Sequence, residues 1–415
     1  MKKIYHEPTR TNAKNSKQIF VFSIIILFAL SSGLSAQELS GVFDSTVNYT
    51  AGAGDAPDHS FGIEEYANLR LRVKTGERAN FYAAFNLIAQ AGNYLDAGLL
   101  GTLYLSPHYG YALQVYSQNY IAALELERLY FRINGDYFDT EAGLLRMNFG
   151  YGQVWGSSDF LNSRNPLLPN ARPRGVLGTN VSFYPTDSLK LMVFAAAPRD
   201  PLESEGGAII PGFSLDQHWA RASVQGLYAF ETPLADSERG IHRFGLSLKA
   251  DLELGFVLDA LYTYNPAMQA SIDGLSAGAG FDYNFFGGDL YLLFEYLFNG
   301  PASSTAFRTN NLMGRMNYNY LYGSVLYRFN NFTSLSLSAL FCFNDLSFQP
   351  IAAFDYEFFQ GFSMNVTVRL PLDQKVFSGG KAGELGPIPP GFDLNGNPIN
   401  SGARAIVNAG VRLKF

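Results

Sequence analysis

Three arginines, Arg164, Arg172 and Arg174, stand with a single acid, Asp159, in a stretch broken by prolines and glycines. Fixed cations of this kind bias the binding or passage of anions, as rings of like charge do in channels. Residues for other chemistry are sparse. The five histidines, His6, His59, His108, His218 and His242, include no His-x-x-x-His pair that could hold a metal. Gly274-Leu275-Ser276-Ala277-Gly278 spells G-x-S-x-G, but a nucleophile elbow needs a strand, a sharp turn and a helix, and this one lies inside an alternating strand pattern. Asp393-Leu394-Asn395-Gly396-Asn397 hints at a calcium loop, yet Pro398 stands where the glycine of that loop belongs. Cys342 is the only cysteine, so an intrachain disulfide and a cysteine zinc cluster are both excluded. No catalytic residue, metal or cofactor is expected, and the chain does not read as an enzyme.

The elements that must position the arginines follow a period of two. Leu69, Leu71 and Val73 alternate with Asn68, Arg70, Arg72 and Lys74. Phe244, Leu246, Leu248 and Ala250 alternate with Arg243, Ser247, Lys249 and Asp251. The last thirteen residues place Ala403, Ala405, Val407, Ala409, Val411, Leu413 and Phe415 on one face and Arg404, Asn408, Arg412 and Lys414 on the other, with Ile406 out of pattern. Successive side chains of a strand point to opposite faces, so each stretch has one apolar and one polar side. A soluble sandwich shows a few such strands. A whole chain of them, with aromatics near the strand ends, points to a transmembrane antiparallel up-and-down β-barrel.

Composition agrees. Aromatics make up 15% of the chain, with 35 Phe and 25 Tyr, yet mean hydropathy is near zero. Beyond residue 36 no apolar run is long enough for a membrane-spanning helix, which excludes an inner-membrane helical protein. Before it, Lys2, Lys3, Arg10, Lys14 and Lys17 precede an apolar run from Ile19 to Leu30, and Ser35-Ala36-Gln37 follows. That layout reads as a secretory signal over residues 1–36, cut after Ala36. Its removal leaves 25 basic and 35 acidic residues, a net charge of −10, with no basic block for nucleic acid.

The expected strands lie at about 40–50, 61–74, 79–91, 119–134, 136–147, 176–185, 188–198, 217–230, 240–251, 255–265, 272–286, 288–298, 316–330, 333–345, 348–359, 361–371 and 403–415. Short turns such as Thr75-Gly76-Glu77 and Asn134-Gly135-Asp136 alternate with long connections at 92–118, 148–175, 199–216, 299–315 and 371–402. Seventeen strands cannot close an up-and-down barrel whose loops alternate sides. The fault falls between 199 and 271: either Ala208–Phe213 hides a strand or Ile241–Asn265 is one long strand, so the total is 16 or 18. A change of phase near Glu127–Leu129 marks a bulge. Residues 37–415 are expected to form one barrel domain, with neither a plug nor a peptidoglycan-binding module expected.

The terminal strand resembles the closing strand of bacterial outer-membrane β-barrels. That resemblance implies a location in the outer membrane and makes Phe415 the signal read by the barrel assembly machinery. Residues 144–178 resemble a motif of porin-like families in Arg146, Trp155, Gly156, Asp159, Asn165, Pro166 and Arg174. The expectation is a loop at about 148–175 that folds into the lumen, with Arg146, Trp155, Asp159, Arg164, Arg172 and Arg174 at a constriction. Strand phase adds lumen charges: Arg70, Arg72, Arg221, Arg243, Lys249, Arg328 and Arg369, against Asp259 and Glu295. The function so read is passive diffusion of small polar solutes, with anions preferred. A gated transporter of hydrophobic or aromatic compounds and a surface adhesin or structural barrel are the alternatives. Outer-membrane lipids, the assembly machinery and small solutes are the expected partners, homo-oligomerisation stays open, and nucleic acid is not a partner.

Overall fold

The computed structural model describes residues 37–52, 59–92, 113–117, 120–162, 175–197, 208–233, 240–266, 270–302, 317–373, 383, 385 and 403–415. The segment expected to be a signal lies outside them. In chain order the strands are β1 (Gln37–Gly52), β2 (His59–Lys74), β3 (Ala79–Gly92), β4 (Leu113–Ser117), β5 (Tyr120–Asn134), β6 (Phe138–Leu145) and β7 (Val176–Thr186). There follow β8 (Leu189–Ala197), β9 (Ile210–His218), β10 (Ala222–Glu231), β11 (Ile241–Asp251), β12 (Gly255–Tyr264) and β13 (Leu275–Phe285). The last six are β14 (Leu290–Asn299), β15 (Asn319–Arg328), β16 (Thr333–Cys342), β17 (Ser347–Phe359), β18 (Phe362–Arg369) and β19 (Ala403–Lys414).

All pairings are antiparallel, and β1 pairs with both β2 and β19, so the sheet closes on itself. The short β4 lies in the sheet on the β5 edge that β6 takes up farther along, so it adds no further crossing. It pairs only with the Tyr120–Leu124 end of β5, whose other edge is taken by β3. The barrel therefore has eighteen strands. Closure satisfies the ladder without an exposed edge, which a wall in hydrocarbon requires.

The register sorts every strand into two faces. On β11 and β12, Phe244, Leu246, Leu248, Phe256 and Leu258 are exposed on the outer side, while Arg243, Ser247 and Asp259 are buried on the inner side. Outward aromatics crowd the ends beside the short turns, including Phe138, Phe183, Phe285, Phe329, Phe358 and Phe415. Such a girdle marks a membrane interface. Ile406, out of pattern in the terminal strand, points inward and is buried.

The strand-count fault resolves at β9. The sequence reading runs one strand over 217–230, but β9 ends at His218 and β10 starts at Ala222 after the turn 219–221. That turn carries Trp219-Ala220-Arg221, without glycine, proline or asparagine to announce it. Meanwhile β9 contains Pro211 and Gly212, which are poor strand formers and disguise it. Ile241–Asn265 is two strands, not one.

The bulge is present where the phase changes. Pairing of β3 with β5 slips between Ala84 and Phe85, so that Glu127 is the extra residue and the outward set passes from Leu126 to Leu129. Next to it, Gly143 on β6 has φ +132°, and a Cβ there would meet the Leu129 carbonyl oxygen at 2.2 Å. Only glycine fits this position. Gly143→Ala is expected to cost on the order of 2 kcal/mol, read as a lower urea midpoint for unfolding in detergent micelles. An unchanged midpoint would mean that the bulge tolerates a side chain.

Candidate functional site

The site is built by the chain that leaves β6 and turns into the barrel. Its first residues bury apolar surface where a lumen would be expected to be polar. Met147, Phe149 and Phe160 pack with Met192, Phe194, Ile210, Leu227 and Leu261 from the inner faces of β8, β9, β10 and β12. Phe149 stacks on Phe160 with ring centroids 5.7 Å apart. Farther along, Trp155 is wholly buried with Leu297, Tyr320, Leu340 and Cys342 from β14, β15 and β16.

Between these two apolar patches, inward carboxylates hold the loop by its backbone. Glu295 of β14 accepts hydrogen bonds from the amides of Gln153 at 3.0 Å, Val154 at 3.1 Å and Trp155 at 2.9 Å. The Trp155 indole N–H donates to the Glu295 carbonyl at 3.2 Å. Asp259 of β12 accepts from the Ser158 amide at 3.2 Å, from the Ser158 hydroxyl, and from the Ser247 hydroxyl of β11 at 2.5 Å. Gln225 of β10 accepts from the Gly150 amide at 2.6 Å and donates to Asp216 of β9 at 2.5 Å. Gly150 has φ +82°, and a Cβ there would meet the Asp259 carboxylate at 2.6 Å, so the close approach requires glycine. Nearby, burial and the Asp216 charge push the Tyr151 phenol up to about 12, which keeps it neutral.

Hydrogen bonds to a charged acceptor contribute about 1.5–3 kcal/mol each. Several converging on two buried carboxylates offset much of the entropy of ordering the loop, at about 1–2 kcal/mol per residue, and the apolar patches add to them. The loop is thus fastened to the β9–β16 side of the barrel interior.

The expected constriction residues divide. Trp155 is an anchor buried in the wall, not a pore-lining group. Asp159 is also buried and accepts from the Asn162 amide at 3.2 Å, closing its own turn. Arg146 donates to Glu127, the bulge residue, at 2.8 Å, and Arg128 reaches the same oxygen at 3.4 Å. Arg164, Arg172 and Arg174 lie outside the described residues.

Of the expected lumen charges, Asp259 and Glu295 hold the loop. Arg243 is buried, donates to Glu231 at 2.6 Å and lies over the Phe160 ring at 5.2 Å, so it too braces the loop. Lys249 pairs with Asp251 at 3.2 Å, and Arg369 donates to Asn408 at 3.1 Å. Arg328 ends β15 and donates to the Gly288 carbonyl at 3.4 Å. Arg221 is corrected: it sits exposed in the turn between β9 and β10, because the strand assumed to carry it begins one residue later.

Arg70 and Arg72 point inward from β2 on the wall away from the loop. Arg70 donates to Asn68 at 2.5 Å, and Arg72 has a long pairing with Glu38 at 3.8 Å. Arg72 lines a recess of about 380 Å³ together with Asn80, Tyr82, Tyr130, Arg132 and Asn134. Tyr82 and Tyr130 lie 5.2 Å apart, with Arg128 over Tyr82 at 5.9 Å. Arg132 also borders a second recess of about 200 Å³ that runs to Arg146, Asp139, Glu141 and Lys190.

Sequence reasoning missed Glu127, Gln225, Ser158 and Ser247 as holders of this geometry. Ser276, of the G-x-S-x-G match, is the second residue of β13, with no helix after it. Glu295→Ala should speed hydrogen exchange at the amides of Gln153, Val154 and Trp155 by at least tenfold. Equal protection in the variant would mean that the apolar patches alone hold the loop.

No protein-family model matches the chain, and no curated protein matches it. Solved structures do share the fold. The chain resembles Acinetobacter baumannii OccAB4 over 93% of its own length and 99% of the other, with a TM-score of 0.53 at 10% identity. Pseudomonas aeruginosa OccK8 (OprE) gives a TM-score of 0.52 at 10% identity, covering 92% of this chain and 98% of the other. The outer membrane protein opdK from Pseudomonas aeruginosa gives 0.53 at 9% identity, covering 92% and 99%. The structural likeness, at identities near 10%, establishes the shared barrel architecture alone.

Proposed function

We propose that this chain is an outer-membrane channel for passive diffusion of small polar solutes, with anions preferred. The observation that carries the reading is the loop after β6, fastened inside the barrel by Glu295 and Asp259. An inward loop of this kind narrows a bore without closing it when it lies against one wall. Its residues up to Asn162 lie mainly against the β8–β16 side, and we read the β2–β5 side as the path for solute.

That facing wall supports the anion preference. Arg72 and Arg132 keep about half of their side-chain surface exposed, at 51% and 43%. Arg70 and Arg128 stand beside them, and the phenols of Tyr82 and Tyr130 add hydrogen-bond donors. Of the acids of this region, Glu127 is paired with Arg146 and Arg128 and Asp139 with Arg132, while Glu125 accepts from Asn86 and Glu64 from Gln90. Transport here needs no covalent step. A solute is drawn to the arginines, passes the loop, and leaves because each contact is screened and weak. Arg164, Arg172 and Arg174, from the same loop in the sequence, are proposed to add to this bias.

The outward placement of so many Phe and Tyr residues removes the main reason to favour a transporter of aromatic compounds. An adhesin would have no use for a loop held inside the lumen. Outer-membrane lipids surround the apolar wall, and Phe415, whose amide and carbonyl pair with Gly41 at 3.1 and 2.8 Å, is the residue the assembly machinery would read.

Planar-bilayer recording tests the proposal. Purified protein should give stable ohmic steps, and under a salt gradient the reversal potential should favour anions. Combined Arg72→Glu and Arg132→Glu should shift that potential toward cations, as should reversal of Arg164, Arg172 and Arg174. Correctly inserted protein that passes no current would end the channel reading. Current with no shift in either variant would remove the arginines from the path.

A further inference from the structure

The long connection from β18 to β19 also sends residues into the barrel. Leu372 extends the ladder past β18, exchanging backbone hydrogen bonds with Phe348 at 2.8 and 2.9 Å. The next residue, Asp373, is buried and accepts from the Gly383 amide at 3.0 Å. The Leu385 amide then donates at 3.0 Å to the hydroxyl of Ser347, a wholly buried residue at the start of β17. That hydroxyl donates in turn to Asp345 at 2.5 Å. The seating is close: a Cβ on Gly383 would meet the Ser347 Cβ at 2.4 Å.

These bonds deliver one apolar side chain to a particular place. Leu385 is 1% exposed and belongs to the buried cluster of Trp155, Leu297, Tyr320, Leu340 and Cys342. The wall residues of that cluster face inward on β14, β15 and β16, and the Trp155 and Tyr320 rings lie 5.6 Å apart at 45°. An apolar anchor inside a polar bore is stable only while water is kept from it. Wall strands cover one side of Trp155, and its neighbour Val154 packs against the same cluster. Among the described residues, Leu385 is the one member that comes from neither the wall nor the loop after β6.

We propose that Leu385 is a positioning residue for the loop after β6: it closes the Trp155 anchor, so that two connections of the chain, not one, set the width of the passage. The amides from Gln153 to Trp155 all rest on the Glu295 carboxylate, and water that reached it would compete for the same oxygens. Leu385 keeps that water out. Truncating a buried leucine removes its contacts and leaves a void that the neighbours fill only in part. Loss of the side chain therefore loosens Trp155 first and the segment behind it next, with no wall strand disturbed. The effect on current rests on the channel reading; the effect on Trp155 does not.

The test uses the full chain folded in detergent, carrying Trp219→Phe so that Trp155 is the only tryptophan. Leu385→Ala and, independently, Gly383→Ala, which wedges the connection off Ser347, should raise acrylamide quenching of Trp155 about threefold and exchange at its amide about tenfold. Leu385→Met should keep both at the native level. Neither position lies in a strand, so heat-modifiable gel mobility should still report a folded barrel. In planar bilayers the two alanine variants should switch between current levels that the native and Leu385→Met proteins lack. Native quenching and exchange in both alanine variants overturn the proposal, whether or not current flows. A loosened Trp155 with steady native current also overturns it, because the anchor then does not set the passage. Absence of current in every protein, native included, removes the channel reading, while the quenching still decides the role of Leu385.

Discussion

In hydrocarbon an unpaired backbone N–H has no water to turn to, and the rest of this structure follows from that obligation. It forces β19 back onto β1, from Val42 opposite Lys414 to Gly52 opposite Ala403. The seam is reinforced inside by Arg412, which donates to both oxygens of Asp44 at 2.7 and 3.0 Å. Once the ring is closed, each strand has one side for lipid and one for the interior, and the alternation in the sequence is the record of that division. The same obligation governs the loop after β6. Its backbone turns away from any ladder, so its amides must find acceptors elsewhere, and Glu295, Asp259 and Gln225 are placed to receive them.

The interior is correspondingly uneven. Under the loop the inner face is apolar, with Phe194, Leu227 and Leu261 at positions that would otherwise contact water. Across from it the inner face is basic and hydroxylated. Arg243 shows how the two properties can be confused in a list of lumen charges. It has the right phase, yet it is buried against Phe160 and neutralised by Glu231, so it supports the loop and offers nothing to a solute.

Strand identity and phase were readable because a period of two is a direct consequence of strand geometry. By register Arg70 and Arg72 share a face with Asn68, and Arg243 and Lys249 share one with Ser247. The phase slip at Glu127 was readable for the same reason. What was hidden had weak or contrary local signals. Pro211 and Gly212 mask β9, and Trp219-Ala220-Arg221 turns without any turn-forming residue. The roles of Trp155 and Asp159 were also out of reach, since a motif gives residue types but not which of them face water. One clue was available: Leu189 to Ala197 is apolar on both faces apart from Lys190, which means that something covers the inner one. That cover is the loop.

The fastening residues and the exposed arginines belong to different strands. Glu295, Asp259, Ser247 and Gln225 come from β14, β12, β11 and β10, whereas Arg70, Arg72 and Arg132 come from β2 and β5. Substitutions at distant sites with no shared partners combine almost independently. Descendants of this sequence can therefore alter the chemistry of one side of the barrel while the other goes on carrying the architecture, a modularity written into a single continuous sheet.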